Sequence, residues 1–403
     1  MVPAHDTPST EPAPEPQWAV IGVGLLVMLF LGLSALRVGE NATFPAVLIG
    51  IAAGVSLYKA SFGFTGGWRL AVEEQRTRRF RAQLALILLV CVISFPLLEH
   101  GSHIGLSTGG FVFPFGISAA IGAFLFGIGM RMAGGCGSGT LFTLGGGSMR
   151  MLVTLGSFVA GSVVATAHLP LWRELPALPA FSLVSAFGAG WALFLTALTL
   201  GVVALIAIGI EKHRYGELET SDTHAPQQTG VWSPERGAMA LALTCIATFM
   251  FLGRPWGITS GFSLWGAKVL HAVGIPVENW PYWEDRMAAV HAPLFADTTS
   301  LMNLGIMGGA LMAAGHAGRF RPTLNLSQTD LMLAAAGGMF MGYGARLAYG
   351  CNIGAYIGGI TSGSLHGWLW LVCALTGFWV VSRASTFVYG RRVGCDEATS
   401  NPR

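Results

Sequence analysis

An all-α bundle of membrane-crossing helices, made of two inverted halves and interrupted by re-entrant loops bearing glycine and cysteine, is the fold this sequence predicts. Three observations predict it. Only 11% of the 403 residues are charged, against roughly 25% in a soluble domain, and the mean hydropathy is +0.59. So little charge cannot cover a water-facing surface. Glycine supplies 56 residues, about twice its usual share, with no collagen triplet, and small residues in apolar segments let membrane helices approach closely. Finally, one cysteine-bearing segment occurs twice, 215 residues apart.

Residues 1–17 are rich in Pro, Ser, Thr and acid and lack a basic start, so they read as a disordered tail and not a signal peptide. Ten apolar stretches then follow, near Trp18–Leu36, Phe44–Ala60, Gln83–Glu99, Pro114–Arg131, Arg150–His168, Phe181–Ile210, Gly237–Leu252, Ser300–His316, Leu331–Leu347 and His366–Val388. Each is long enough, or nearly so, to cross about 30 Å of hydrocarbon. Residues 18–210 are expected to form the first half, 211–236 a linker, 237–390 the second half and 391–403 a tail. Loops on the side of the termini hold thirteen Lys and Arg, five of them between Ser61 and Ala82. Opposite loops hold only Arg37, Arg173, Arg254, Lys268 and Arg286. Both termini are therefore expected in the cytoplasm.

The repeat aligns Gly127-Ile-Gly-Met-Arg131-Met-Ala-Gly-Gly135-Cys136-Gly137-Ser138-Gly139 with Gly342-Tyr-Gly-Ala-Arg346-Leu-Ala-Tyr-Gly350-Cys351-Asn352-Ile-Gly354, identical at seven of thirteen positions. A weaker pair precedes it, Gly63-Phe-Thr65-Gly-Gly67 and Gly257-Ile-Thr259-Ser260-Gly261. On the crossing count, the two Cys segments run in opposite directions. Inverted repeats place a solute pathway at their interface, near the bilayer midplane.

Seven of the fourteen residues from Gly134 to Gly147 are glycine, which suits neither a stable spanning helix nor contact with lipid. A break buried in protein is expected there, with freed backbone donors facing a water-filled cavity. Cys136 and Cys351 sit where those donors converge, and a thiol there can bond to, or exchange with, a sulfur-bearing solute. Each cysteine alone reads as a packing residue; matched in both copies, they read as chemistry. Arg131 and Arg346 either snorkel, brace the broken loops or attract anions. Ser138, Asn352, Thr65, Thr259 and Ser260 offer neutral polar contacts. Cys91, Cys245 and Cys373, mid-helix without glycine neighbours, read as core. Trp280–Trp283 reads as an interfacial aromatic belt.

The exclusions are equally direct. Dispersed basic residues and a net charge of +3 offer no nucleic-acid face. Six cysteines, mostly in apolar stretches, make no disulfide framework. No metal-ligand spacing compels a metal site, no cofactor is expected, and the lack of a P-loop argues against direct ATP drive.

At Ala133–Gly139, Gly344–Ala355, Ser364-Leu-His366 and Gly253–Phe262 with Trp265-Gly266, the sequence resembles the YeeE/YedE family of bacterial inner-membrane sulfur-compound transporters. The resemblance runs from about Phe44 to Trp370. It implies an hourglass of transmembrane and re-entrant helices, with Cys136 and Cys351 at its constrictions. It also implies inward transport of a small sulfur anion such as thiosulfate, with a YedE-like branch tied to selenium. Gly63 and Gly257 stand where members often carry cysteine. An intramembrane enzyme is the alternative, using Ser138 with His168 or the two thiols as a redox pair. A further alternative is a membrane subunit that passes sulfur to a cytoplasmic carrier protein.

Overall fold

Helix boundaries follow from local chemistry. Ser233, Asp297 and Ser327 accept the backbone N–H three residues on with their side chains, each capping a helix start. The computed structural model describes residues 14–39, 42–220 and 232–399, with side chains to residue 384. Residues 1–13 of the expected tail, 221–231 of the linker, and the side chain of Cys395 lie outside the described residues.

The first half contains α1 (Trp18–Val38), α2 (Thr43–Ala60), α3 (Phe64–Arg69), α4 (Arg78–His100), α5 (Ile117–Ala133), α6 (Gly137–Gly145) and α7 (Met149–Arg173). Then come α8 (Leu183–Tyr215), α9 (Pro234–Leu252), α10 (Ile258–Ala272), α11 (Met287–His291), α12 (Thr298–His316), α13 (Gln328–Leu347), α14 (Gly358–Ile360) and α15 (Leu365–Thr399). Two short strands, β1 (Phe115–Gly116) just before α5 and β2 (Ala177–Leu178) just after α7, pair antiparallel.

The long helices coincide with the ten apolar stretches. Among the described residues, eight spans, rather than ten, are long and apolar enough to cross a membrane. The two helices outside that set, α12 and α13, are rich in Gly, Ala and polar residues; α12 is mostly buried by neighbours, while α13 exposes Met332, Met339 and Phe340 on one side. A helix shielded by protein need not match lipid along its whole surface. The chain is an all-α multi-pass membrane bundle.

Packing is reciprocal. α2 packs on α12 as α9 packs on α4, α1 on α12 as α8 on α4, and α13 on α7 as α5 on α15. This grouping makes α8 the counterpart of α1, so the structural repeat begins at Leu183, ahead of the expected linker. Glycines permit the approach. A Cβ at Gly129 would meet the Gly337 carbonyl, and one at Gly344 would overlap the Gly122 carbonyl, so α5 and α13 touch through matched positions of the two copies.

A buried aromatic cluster of Phe64, Trp68, Phe126, Tyr356, Trp370 and Phe378 wedges the two broken segments together; Tyr356 and Trp370 stack at 6.1 Å. A further break lies in α8 at Gly188 (φ 79°), where the Glu99 carboxylate accepts the freed Ala189 N–H at 2.6 Å. The Trp280–Trp283 segment is not a simple lipid-facing belt. Trp283 is buried, and its indole N–H donates to the Thr166 hydroxyl at 2.9 Å, which pins the segment to α7.

Close approach at glycine gives a direct test. A Cβ at Gly54 would overlap the Ile306 carbonyl, whereas one at Gly156 on α7 meets nothing within 4 Å. Gly54→Ala is expected to destabilise the detergent-solubilised protein by about 1–3 kcal/mol. Gly156→Ala should be neutral or stabilising by up to about 1 kcal/mol in the same unfolding titration.

Candidate functional site

Each cysteine follows a helix that stops in the same way. Gly134 (φ 76°) ends α5 in the left-handed region, and its repeat equivalent Tyr349 (φ 63°) does the same after α13. Cys136 (φ −91°, ψ −171°) and Cys351 (φ −100°, ψ −167°) then adopt one extended conformation, each as the cap of the next helical turn. The second turn is a π-helical stretch, Asn352–Ile357, which runs into α14.

The two thiols occupy comparable donor sets. Cys136 Sγ accepts the Gly139 N–H at 3.3 Å, lies 3.5 Å from the Ser138 hydroxyl, and is faced by the Phe64 N–H at the start of α3. Cys351 Sγ lies near the Ile353 and Gly354 N–H groups, although no capping hydrogen bond like that of Cys136 forms there. It also presses on the other copy, since a Cβ at Gly137 would stand 3.1 Å from it. Both thiols are free and buried. Asn352, fully buried, has no hydrogen-bond partner for Oδ1 or Nδ2, and the Thr65 hydroxyl also lacks one. Orphaned buried polar atoms are uncommon and call for a reason.

Two cavities border these segments. One, of about 880 Å³, is lined by Gly257, Thr259, Ser260, Tyr282, Tyr349 and four arginines, Arg173, Arg254, Arg286 and Arg346. The other, of about 180 Å³, is lined by Gly63, Thr65, Gly66, Gly134, Gly135 and Gly139, with Arg69 and Arg79. Ser118 and Gly134, at opposite ends of α5, line the first and the second respectively. Neither cysteine lines a cavity, but their segments border both, through Gly135 and Gly139 at the smaller and Tyr349 at the larger.

The paired arginines diverge. Arg131 Nε donates to the Glu73 carboxylate at 2.7 Å and to the Ser382 hydroxyl at 3.2 Å, so it braces a fold contact and lines neither cavity. Arg346 instead donates from Nη1 to the hydroxyls of Ser263 (3.1 Å) and Tyr282 (2.9 Å), and faces the larger cavity. Arg254 donates to the hydroxyls of Thr298 and Thr299. Burial holds its guanidinium below the usual arginine range while Asp297 opposes that shift; an arginine stays protonated regardless. No acidic side chain lines the larger cavity.

The sequence pattern of the sulphur-transport family matches residues 59–380. The chain belongs to that family. It is 31% identical over 152 residues to the probable transporter YedE of Salmonella typhimurium, covering 38% of this chain and 37% of that protein, so the match spans little more than a third of the YedE relative. Longer matches join it to the thiosulfate transporter TsuA of Escherichia coli, 27% identical over 86% of this chain and 96% of TsuA. TsuA of Spirochaeta thermophila is 25% identical over 90% of this chain and 98% of that protein. The family is one of sulphur transport, and the alternative of a serine dyad rests on Ser138. Its hydroxyl neighbours the Cys136 thiol, while His168 pairs with the Tyr343 hydroxyl at 3.1 Å, so the two form no dyad.

The remaining residues sort themselves. Gly350 accepts the Trp370 indole N–H at 3.2 Å and so holds the second break in place. Ser260 turns its hydroxyl back to the Gly257 carbonyl at 2.7 Å. Cys91 and Cys245 are buried in the core, and Cys373 packs against it half-buried. Sequence reasoning missed Arg150, which donates to the Ala133 and Met132 carbonyls at 2.7 and 3.0 Å and caps the end of α5. It also missed Tyr282 as the Arg346 partner. His271 and His291, far apart in sequence, bring their rings to 5.0 Å, yet no group of three metal ligands forms among the described residues.

The Arg131 contact carries a stability prediction. Both partners are about a quarter exposed, so Glu73→Gln is expected to cost about 1–3 kcal/mol in an unfolding titration, and to cost less at high salt.

Proposed function

We propose that this protein carries a small sulfur anion such as thiosulfate inward across a bacterial inner membrane, through the neck between Cys136 and Cys351. The observation that carries the reading is the pair of repeat-matched thiols, each at a helix start, meeting beside the unpartnered Asn352 amide in segments that border two cavities. The full-length similarity to proteins named thiosulfate transporters supports the substrate. The excess of basic residues on the Ser61–Ala82 side supports both termini lying in the cytoplasm, with the larger cavity facing outward.

The chemistry follows from the donors. Four arginines in an outer cavity whose lining holds no acid raise the local anion concentration. At the neck the anion sheds water and takes N–H donors from the starts of α6 and the Asn352–Ile357 turn, the Asn352 amide, and the two S–H groups. A neutral thiol donates to an anion, whereas a thiolate would repel it, so no covalent capture is required. Each donor is weak and the two thiol sites are separate, which suits conduction because tight binding would trap the solute. The inner cavity then receives the anion near Thr65.

Uptake of ³⁵S-thiosulfate into proteoliposomes holding the purified protein tests this. Wild type is expected to exceed empty vesicles, and the Cys136→Ala, Cys351→Ala double variant to lose about tenfold or more, a change of about 1.4 kcal/mol or more in the barrier. Arg346→Gln should raise KM several-fold, with a penalty that shrinks in high salt, while Arg131→Gln should shift thermal stability and leave KM unchanged. Wild-type vesicles without uptake would overturn autonomous transport. Uptake restored only by an enclosed cytoplasmic sulfur carrier would make the chain one subunit of a relay.

A further inference from the structure

Two of the helix starts around the neck carry no side chain at all. Gly63 is the cap of α3 and Gly257 the cap of α10, at matched places in the two copies of the shorter repeat. Neither glycine is demanded by the backbone, since their φ values of −92° and −99° suit any residue. Neither is demanded by packing. A Cβ at Gly63 would meet only Phe142, at 3.9 Å, and one at Gly257 would come no nearer than 3.3 Å to the Ser260 hydroxyl and 3.5 Å to Phe111. The interhelical glycines differ sharply: a Cβ at Gly54, Gly127 or Gly342 would overlap the backbone of a neighbouring helix.

The space left open belongs to the cavities. Gly63 lines the smaller one and Gly257 the larger one, so the two positions flank the thiol neck from opposite sides. Buried polar atoms without partners lie beside both, the Thr65 hydroxyl two residues after Gly63 and the Trp256 indole N–H immediately before Gly257. Gly257 also borders the second cysteine turn, its Cα standing 3.7 Å from a Cβ placed at Gly354.

We infer that Gly63 and Gly257 are the specificity-determining positions of the pathway, and that by omitting side chains on both sides of the neck they admit sulfur anions bulkier than thiosulfate. The substrate class is the alkanethiosulfonates, R–SO₂–S⁻, which keep the terminal sulfur and the oxygens that the N–H and S–H donors meet, and replace one oxygen by an alkyl group. This rests on the transport reading above and extends it. A β-branched side chain at either position would fill the space the alkyl group needs while leaving the donors in place.

The test compares uptake of ³⁵S-labelled thiosulfate, methanethiosulfonate and ethanethiosulfonate by proteoliposomes of wild type, Gly63→Val and Gly257→Val. Wild type is expected to carry all three. Each valine variant should lower the ratio of ethanethiosulfonate to thiosulfate uptake about tenfold or more, the discrimination that one or two carbons give in a shaped site, whatever it does to thiosulfate uptake itself. Equal losses for all three anions, no change for any, or a wild type that carries thiosulfate alone would overturn the inference. Wild-type vesicles that move none of the three would instead remove the transport reading beneath it. A second readout is independent of transport. Gly257→Cys and Gly63→Cys should react with a membrane-impermeant maleimide from opposite sides of the membrane, located by peptide mass spectrometry, and thiosulfate should slow both. Resistance of both introduced thiols from both sides would show that neither position lines the pathway, overturning the inference whatever the uptake data.

Discussion

A helix broken inside hydrocarbon must find partners for every freed N–H and C=O, and this bundle answers that constraint by setting two breaks against each other. After Gly134 and Tyr349 the chain turns left-handed, then restarts a helix whose first donors point at a cysteine sulfur. Neither break could sit in lipid. Each is walled by helices brought close through glycine, wedged by the Trp68, Tyr356 and Trp370 cluster, and tied back by single contacts such as Arg150 on the end of α5 and Trp370 on Gly350. The close packing serves the neck, because the same constraint that forbids lipid there leaves the thiols facing each other's segment.

Symmetry of the backbone does not extend to charge. Arg131 and Arg346 hold equivalent places, yet one is neutralised by Glu73 and the other keeps only hydroxyl partners above a cavity with no acid in its lining. The difference is made by residues outside the repeat, Glu73 after α3 and Tyr282 in the segment between α10 and α12. The two cavities differ as well, a wide one lined by four arginines and a narrow one lined by Gly63, Thr65, Arg69 and Arg79.

Much of the fold was legible because the signals are local. Long apolar runs mark the helices, although the caps Ser233, Asp297 and Ser327 start three of them two or three residues ahead of the apolar runs. The Gly-rich stretch after Ala133 announces a break, and the copy at Cys351 announces its partner. The rest was not legible, for physical reasons. α12 is shielded from lipid by neighbours that no hydropathy profile names. The Trp280–Trp283 segment has belt-like composition, but Trp283 found the Thr166 hydroxyl, 117 residues away. Glu99 reads as a helix-end acid, and only the kink at Gly188 gives its carboxylate a buried N–H to accept.

The sequence by itself determined that this is a multi-pass helical membrane protein of the sulphur-transport family, with two matched cysteine breaks, since apolar length, glycine content and an internal repeat are properties of the chain read in order. Only the tertiary structure decided which polar groups remain without partners at the neck, which arginine keeps its charge uncompensated, and where glycine leaves room instead of allowing contact. Those depend on residues far apart in sequence meeting in three dimensions. Cys351 against Gly137, Arg131 against Glu73, and the open space at Gly63 and Gly257 exist only once the two halves have closed on each other.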